Sequence, residues 1–177
     1  FRRVLFRSVG NHTLGLTAGP FFPIRVLAGQ SSKLFGEALM PSWSVTLTEP
    51  VGAGWYQGQL ALGAEVIAFH TAEPLTAYGV GFTPKLVYTS TAFGRVRPFI
   101  EGGGGPMWTD LGGRVPEQPG QFNFLVWGGA GCSYQMTRHW ALNAGYRIMH
   151  ISNAGTRDPN SGLNVGLPFI GLSYQGF

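Results

Sequence analysis

The segment Trp140-Ala141-Leu142-Asn143-Ala144-Gly145-Tyr146-Arg147-Ile148-Met149-His150-Ile151-Ser152 decides the fold. Read in steps of two, Trp140, Leu142, Ala144, Tyr146 and Ile148 share one face, with Asn143 and Arg147 on the other. Side chains alternate across a strand, so this is a strand with one apolar and one polar wall. Its neighbours read alike. Leu60, Leu62, Ala64, Val66 and Ala68 oppose Glu65; Val80, Phe82, Leu86 and Tyr88 oppose Lys85; Val96 and Ile100 oppose Arg97 and Glu101. The polar walls carry both signs of charge, enough to pair inside a narrow lumen, which leaves the apolar walls to face lipid.

Period-two segments recur at roughly 11–19, 40–48, 55–69, 78–90, 96–109, 121–135, 140–152 and 163–177. Most are longer than the strands of soluble domains and match tilted strands that cross a bilayer. Charged residues are 11% of the 177-residue chain, against about 25% for a soluble domain. No run of apolar residues is long enough for a transmembrane helix, and a membrane chain without helices must close into a barrel to satisfy its backbone. The expected fold is therefore all-β: an eight-stranded antiparallel transmembrane β-barrel of the outer-membrane type, in the bacterial outer membrane. A soluble lipocalin-like barrel, apolar face inward, would leave too few charges outside. Residues 9–177 are expected to form this single domain. Residues 1–8 are set aside, because Arg3-Val4-Leu5-Phe6-Arg7-Ser8 reads like translated sequencing adapter, and the expected native start with its secretory leader lies upstream.

Segments 1–2, 3–4, 5–6 and 7–8 are joined by longer, polar or Pro-containing stretches, and 4–5 and 6–7 by short turns. Outer-membrane barrels keep long loops outside and short turns in the periplasm, so odd-numbered strands should run outward. Pro84, Pro98 and Pro168 fall inside segments, where each removes a ladder donor and predicts a bulge or a shifted boundary. The net charge is +4 with pI about 9.6, but the basic residues are scattered, which argues against nucleic acid and leaves membrane lipids as partners. Cys132 stands alone, so no disulfide or thiolate metal site is expected, and it reads as a small packed residue. His12, His70 and His139 lack metal spacing. The run Glu101-Gly102-Gly103-Gly104-Gly105-Pro106 lacks the Lys-Ser/Thr ending of a phosphate loop and reads as glycines giving room in a narrow barrel, or as a bulge.

His150 and Ser152, two apart, continue the lipid-facing set of the deciding segment. Either they rest at the polar membrane boundary, or they form a base and nucleophile facing the acyl esters of the outer leaflet. The chain turns through Asn153–Ser161 and re-enters beside them at Gly162-Leu163-Asn164.

His150-Ile151-Ser152-Asn153-Ala154 followed by Pro159-Asn160-Ser161-Gly162 resembles the signature of the lipid A 3-O-deacylase family. Pro98-Phe99-Ile100-Glu101-Gly102-Gly103 and the aromatic C-terminal end are also similar, and the likeness spans about residues 9–177. It implies an outer-membrane barrel acting on lipid A (lipopolysaccharide) without cofactor or metal, through a Ser-His-Glu triad on its exterior. Ser152 is then the nucleophile, His150 the general base, and Asn153 and Asn160 help the oxyanion hole. The third triad position falls on Asn164, where the family has Glu; Asp158 is the nearest alternative acid. An Asn can orient the imidazole but cannot stabilise its charge, so the resemblance implies weak activity, or a non-catalytic barrel with a structural or lipopolysaccharide-binding role. Oligomeric state is not legible.

Overall fold

In lipid every backbone N–H and C=O needs a partner within the protein, and a sheet supplies one only by closing on itself. The computed structural model, which describes residues 8–25, 33–158 and 161–176, shows that closure. The strands are β1 (His12–Pro23), β2 (Phe35–Thr46), β3 (Gly58–Glu73), β4 (Ala77–Ser90), β5 (Val96–Thr109), β6 (Phe122–Gln135), β7 (Trp140–Ser152) and β8 (Leu163–Gln175). They pair antiparallel in chain order, and β1 closes the ring against β8. Most of the segment set aside above, residues 1–7, lies outside the described residues, as does Asn160.

Three expectations differ in the structure: the connection lengths, the effect of the prolines and the packing of Cys132. Connection lengths do not alternate as the sequence suggests: β3 runs on to Glu73 and β4 starts at Ala77, leaving only residues 74–76 between them, whereas 47–57 between β2 and β3 is long and contains a 3-10 turn at Gly54–Tyr56. The polar end of β3, with His70 and Glu73, lies beyond the apolar alternation although the strand continues. The prolines, for their part, produce neither bulges nor shifted boundaries. A strand residue uses its N–H towards one neighbour only, so proline opens the ladder on one side. Pro84 pairs with Ala64 in β3 and Pro106 with Phe124 in β6, while the β4–β5 ladder is interrupted between them and resumes in the same register at Lys85↔Gly103. Pro20 and Pro168 share a similar gap between β1 and β8. Pro98 lies one residue beyond the last β4–β5 pair, Thr89↔Phe99.

The two walls are as the alternation requires. Leu62, Val66, Val80, Phe82, Leu86, Val96, Ile100, Trp140 and Leu142 are exposed on the outside, and Glu65, Lys85, Arg97 and Arg147 are buried within. Cys132 is not packed inside; it is exposed on the lipid-facing wall. Aromatic residues ring both ends, with Trp43, Tyr134 and Trp140 at one and Tyr78, Trp108 and Phe122 at the other, the placement of interfacial belts.

The lumen has two halves. Thr13, Ser42, Ser44, Thr89 and Ser133 line a polar cavity of about 80 Å³ on the side of the chain termini. The other half is filled by Met40, Ile67, Met107, Leu125, Met149, Leu163 and Leu167, and capped by Leu111 and Val115 from the 110–121 loop. Between them Arg147 binds Glu65 through two nitrogens (2.6 and 3.1 Å) and Glu101 through Nε (2.8 Å), while Lys85 adds a bond to Glu65 at 3.0 Å. Its guanidinium lies 4.0 Å from the Trp127 ring centroid. The glycines make this possible: a Cβ at Gly129 would stand 2.8 Å from Arg147 Cγ, and one at Gly103 would stand 3.0 Å from the Trp127 indole.

Removing one partner of a buried charge cluster strands the others, typically at about 3–5 kcal/mol. Arg147→Ala should lower the stability of the detergent-folded barrel by that order, read as a shifted urea midpoint. An unchanged midpoint would contradict the central role given to this cluster.

Candidate active site

Continuing the alternation past Arg147 puts Met149 and Ile151 inside, both buried, and His150 and Ser152 outside, both half-buried. The two lie at the rim reached by β7, on the lipid-facing wall. Across β6, Val126 stands opposite His150 and Phe124 opposite Ser152, both exposed. Across β8, the partner of His150 is Asn164. A cross-strand pair shares a face, so the imidazole and the amide meet: His150 Nδ1 and Asn164 Oδ1 are 2.8 Å apart. The amide oxygen only accepts, so this bond places a proton on Nδ1; a neutral ring bound this way keeps its lone pair on Nε2, the form a general base needs.

The surroundings fix this ring. Gly162 adopts φ +66°, in the left-handed region, and a Cβ there would stand 2.4 Å from His150 Cε1. Only glycine lets the chain re-enter β8 across the imidazole. Tyr146 lies over Gly166 on the same face and meets Phe22 at 6.3 Å between ring centroids. Asn164 is 1% exposed despite its outward face, which shields its bond to His150 from competing water. Among the described residues no hydrogen bond joins Ser152 Oγ to His150; such bonds often tighten only when substrate arrives.

Asn153 is 2% exposed, and its side chain serves the loop: Oδ1 accepts from the Gly155 N–H (2.9 Å) and Nδ2 donates to the Arg157 carbonyl (2.7 Å). Asn160 lies outside the described residues, and Asp158 is exposed in the loop. Gln118, which no sequence pattern marks, donates to the Ile151 carbonyl at 3.2 Å and so braces β7 between His150 and Ser152 from inside the barrel. Nothing periodic marks it, because it belongs to a loop folded into the lumen.

The family model described as lipid A 3-O-deacylase (PagL) matches residues 32–174. The chain belongs to the lipid A 3-O-deacylase family. Among solved structures it resembles the outer membrane enzyme PagL, with 23% identity, TM-score 0.60, and coverage of 91% of this chain and 97% of that one. It also resembles Neisserial surface protein A, with 16% identity, TM-score 0.64, and coverage of 93% and 96%. At these identities the likenesses establish the barrel fold alone. A search of curated protein sequences finds no match. Family and fold together make this PagL-family chain a barrel of the bacterial outer membrane.

If Asn164 sets the imidazole tautomer, nitrogen-15 histidine spectra in micelles should show His150 as the Nδ1–H form at neutral pH. Asn164→Ala should mix the tautomers, and Gly162→Ala should displace the same resonances. An Nε2–H signal in the unaltered protein would contradict the orientation described.

Proposed function

We propose that the protein is an outer-membrane esterase that hydrolyses the 3-O-linked acyl chain of lipid A. Ser152 is the nucleophile, His150 the general base and Asn164 the residue that orients it. The observation that carries this reading is the 2.8 Å bond from His150 to Asn164 on the lipid-facing wall, beside Ser152. A serine hydroxyl attacks an ester only when a base takes its proton, and the base must be held in the right tautomer by a third group. Here all three lie on the apolar exterior, where an acyl chain rests without leaving the bilayer.

In the reaction His150 Nε2 takes the Ser152 proton as Oγ attacks the ester carbonyl. The collapsing intermediate expels the sugar 3-hydroxyl, which receives that proton. Water, deprotonated by the same imidazole, then releases the 3-hydroxy fatty acid and restores Ser152. Asn153 and Asn160 are the amides assigned to the developing oxyanion. Asn153 reaches it only by giving up its bond to Arg157, so its first role is to position the loop.

Asn164 also motivates a second reading, a barrel of the same scaffold that contacts lipopolysaccharide without turning it over. An amide orients the imidazole but supplies no charge to the imidazolium. In serine proteases the corresponding Asp→Asn change costs about 10⁴ in turnover. The expected rate is accordingly low.

Ser152→Ala and His150→Ala should each abolish release of 3-hydroxy fatty acid, and the double variant should lose little more, since residues acting as a unit are not additive. Full activity in Ser152→Ala would exclude the serine mechanism.

Asn164→Glu should raise the rate by up to about 10⁴, because it restores the charge opposite the imidazole. A folded Asn164→Glu protein that is as silent as its parent would favour the non-catalytic reading. Loss of activity in Asp158→Ala, with no gain in Asn164→Glu, would move the acid to the loop.

A further inference from the structure

Resting on the reading that this barrel acts on lipid A, we propose that the cleft between loops 110–121 and 153–158 receives the glycolipid head and that Arg157 binds one of its phosphates. The cleft encloses about 690 Å³ and is lined by Gln121, Phe122, Asn153, Thr156 and Arg157, among others. It begins one residue beyond Ser152.

Its shape suits an amphiphile. Phe122 is 59% exposed on the lipid-facing wall and meets Phe124 edge to face, at 5.4 Å between centroids. Phe124 stands opposite Ser152. An aromatic strip therefore leads from the proposed nucleophile to the cleft, so that acyl chains descend along the wall while the sugar head enters above.

The floor of the cleft is built rather than incidental. Asn153, almost fully buried, donates to the Arg157 carbonyl at 2.7 Å, and Thr156 Oγ1 donates to the Asn153 carbonyl at 2.8 Å. The turn fixes the Arg157 backbone, and the exposed side chain passes Gly120 of the facing loop, where a Cβ would stand 3.6 Å from Nη1. Arg147 and Arg114 have carboxylate partners, but the Arg157 guanidinium forms no ion pair among the described residues. Among the described residues no carboxylate of the two loops pairs with Arg157: Asp110 pairs with Arg114, Glu117 is buried at 3% exposure, and Asp158 forms no ion pair with it. A planar guanidinium at a cleft mouth matches phosphate with two parallel hydrogen bonds.

The test measures binding in detergent micelles with the Ser152→Ala protein, which cannot turn substrate over. It should bind bisphosphorylated lipid A at least about tenfold more tightly than the dephosphorylated glycolipid, the size of a charge-assisted contact. Adding Arg157→Ala should erase that difference while the heat-dependent gel shift of the folded barrel remains. Arg157→Lys, which keeps the charge but not the fork, should retain part of it. Phosphatidylglycerol at equal concentration should not compete. A phosphate preference that survives Arg157→Ala would overturn the proposal. So would competition by phosphatidylglycerol, which would make the cleft a general headgroup site. Failure of the deacylase reading appears separately, as absent fatty-acid release from the protein with Ser152 intact.

Discussion

The two-pronged bond between Arg147 and Glu65 fixes the rest of the molecule. It crosses the lumen from β7 to β3, with both partners almost wholly withdrawn from water and lipid. Side chains alternate strictly, so a one-residue slip of β7 would turn Arg147 out into hydrocarbon. His150 is three positions on and Ser152 five, both odd offsets. Whatever holds Arg147 inside holds His150 and Ser152 outside. A buried charge cluster is weak evidence for net stability, but it discriminates sharply between registers, and here register decides which wall carries His150 and Ser152.

The proposed placement of a hydrolase site on the outer wall of a closed barrel has a physical logic. The lumen is plugged by Met, Leu and Ile side chains at one end and occupied by ion pairs in the middle, leaving no route for a lipid. The outer wall already faces the acyl chains. His150 and Ser152 sit at the rim, where an ester lies between apolar tails and a polar head. The bond from His150 to buried Asn164 places the imidazole without water between them. In the proposed triad Asn164 lacks charge, so it would supply orientation but not the electrostatic stabilisation that a carboxylate adds in the transition state.

Much of this was legible in the sequence because a barrel in lipid writes its fold in period two. The limits of β5 and β7 coincide with segments read from alternation alone, and the outward parity of His150, Ser152 and Asn164 follows from the same rule. Legibility ended where alternation did. The alternation makes the 47–57 connection too short, 49–54, because its exposed Trp55 and Tyr56 resemble the start of a strand. The prolines were misread because sequence does not say which neighbour a residue's N–H faces. Gln118, Arg157 and the commitment of Asn153 to its loop depend on how two loops fold over the rim, which no local pattern encodes.

The central claim is that the outward face of β7 and β8 is a lipid A esterase, and product mass tests it most directly. Purified protein in micelles, incubated with lipid A, should yield a species lighter by one 3-hydroxyacyl group, with the free hydroxyl at the 3-position, together with the matching 3-hydroxy fatty acid. Lipid A recovered intact after prolonged incubation with folded protein, or a chain lost from another position, would contradict it.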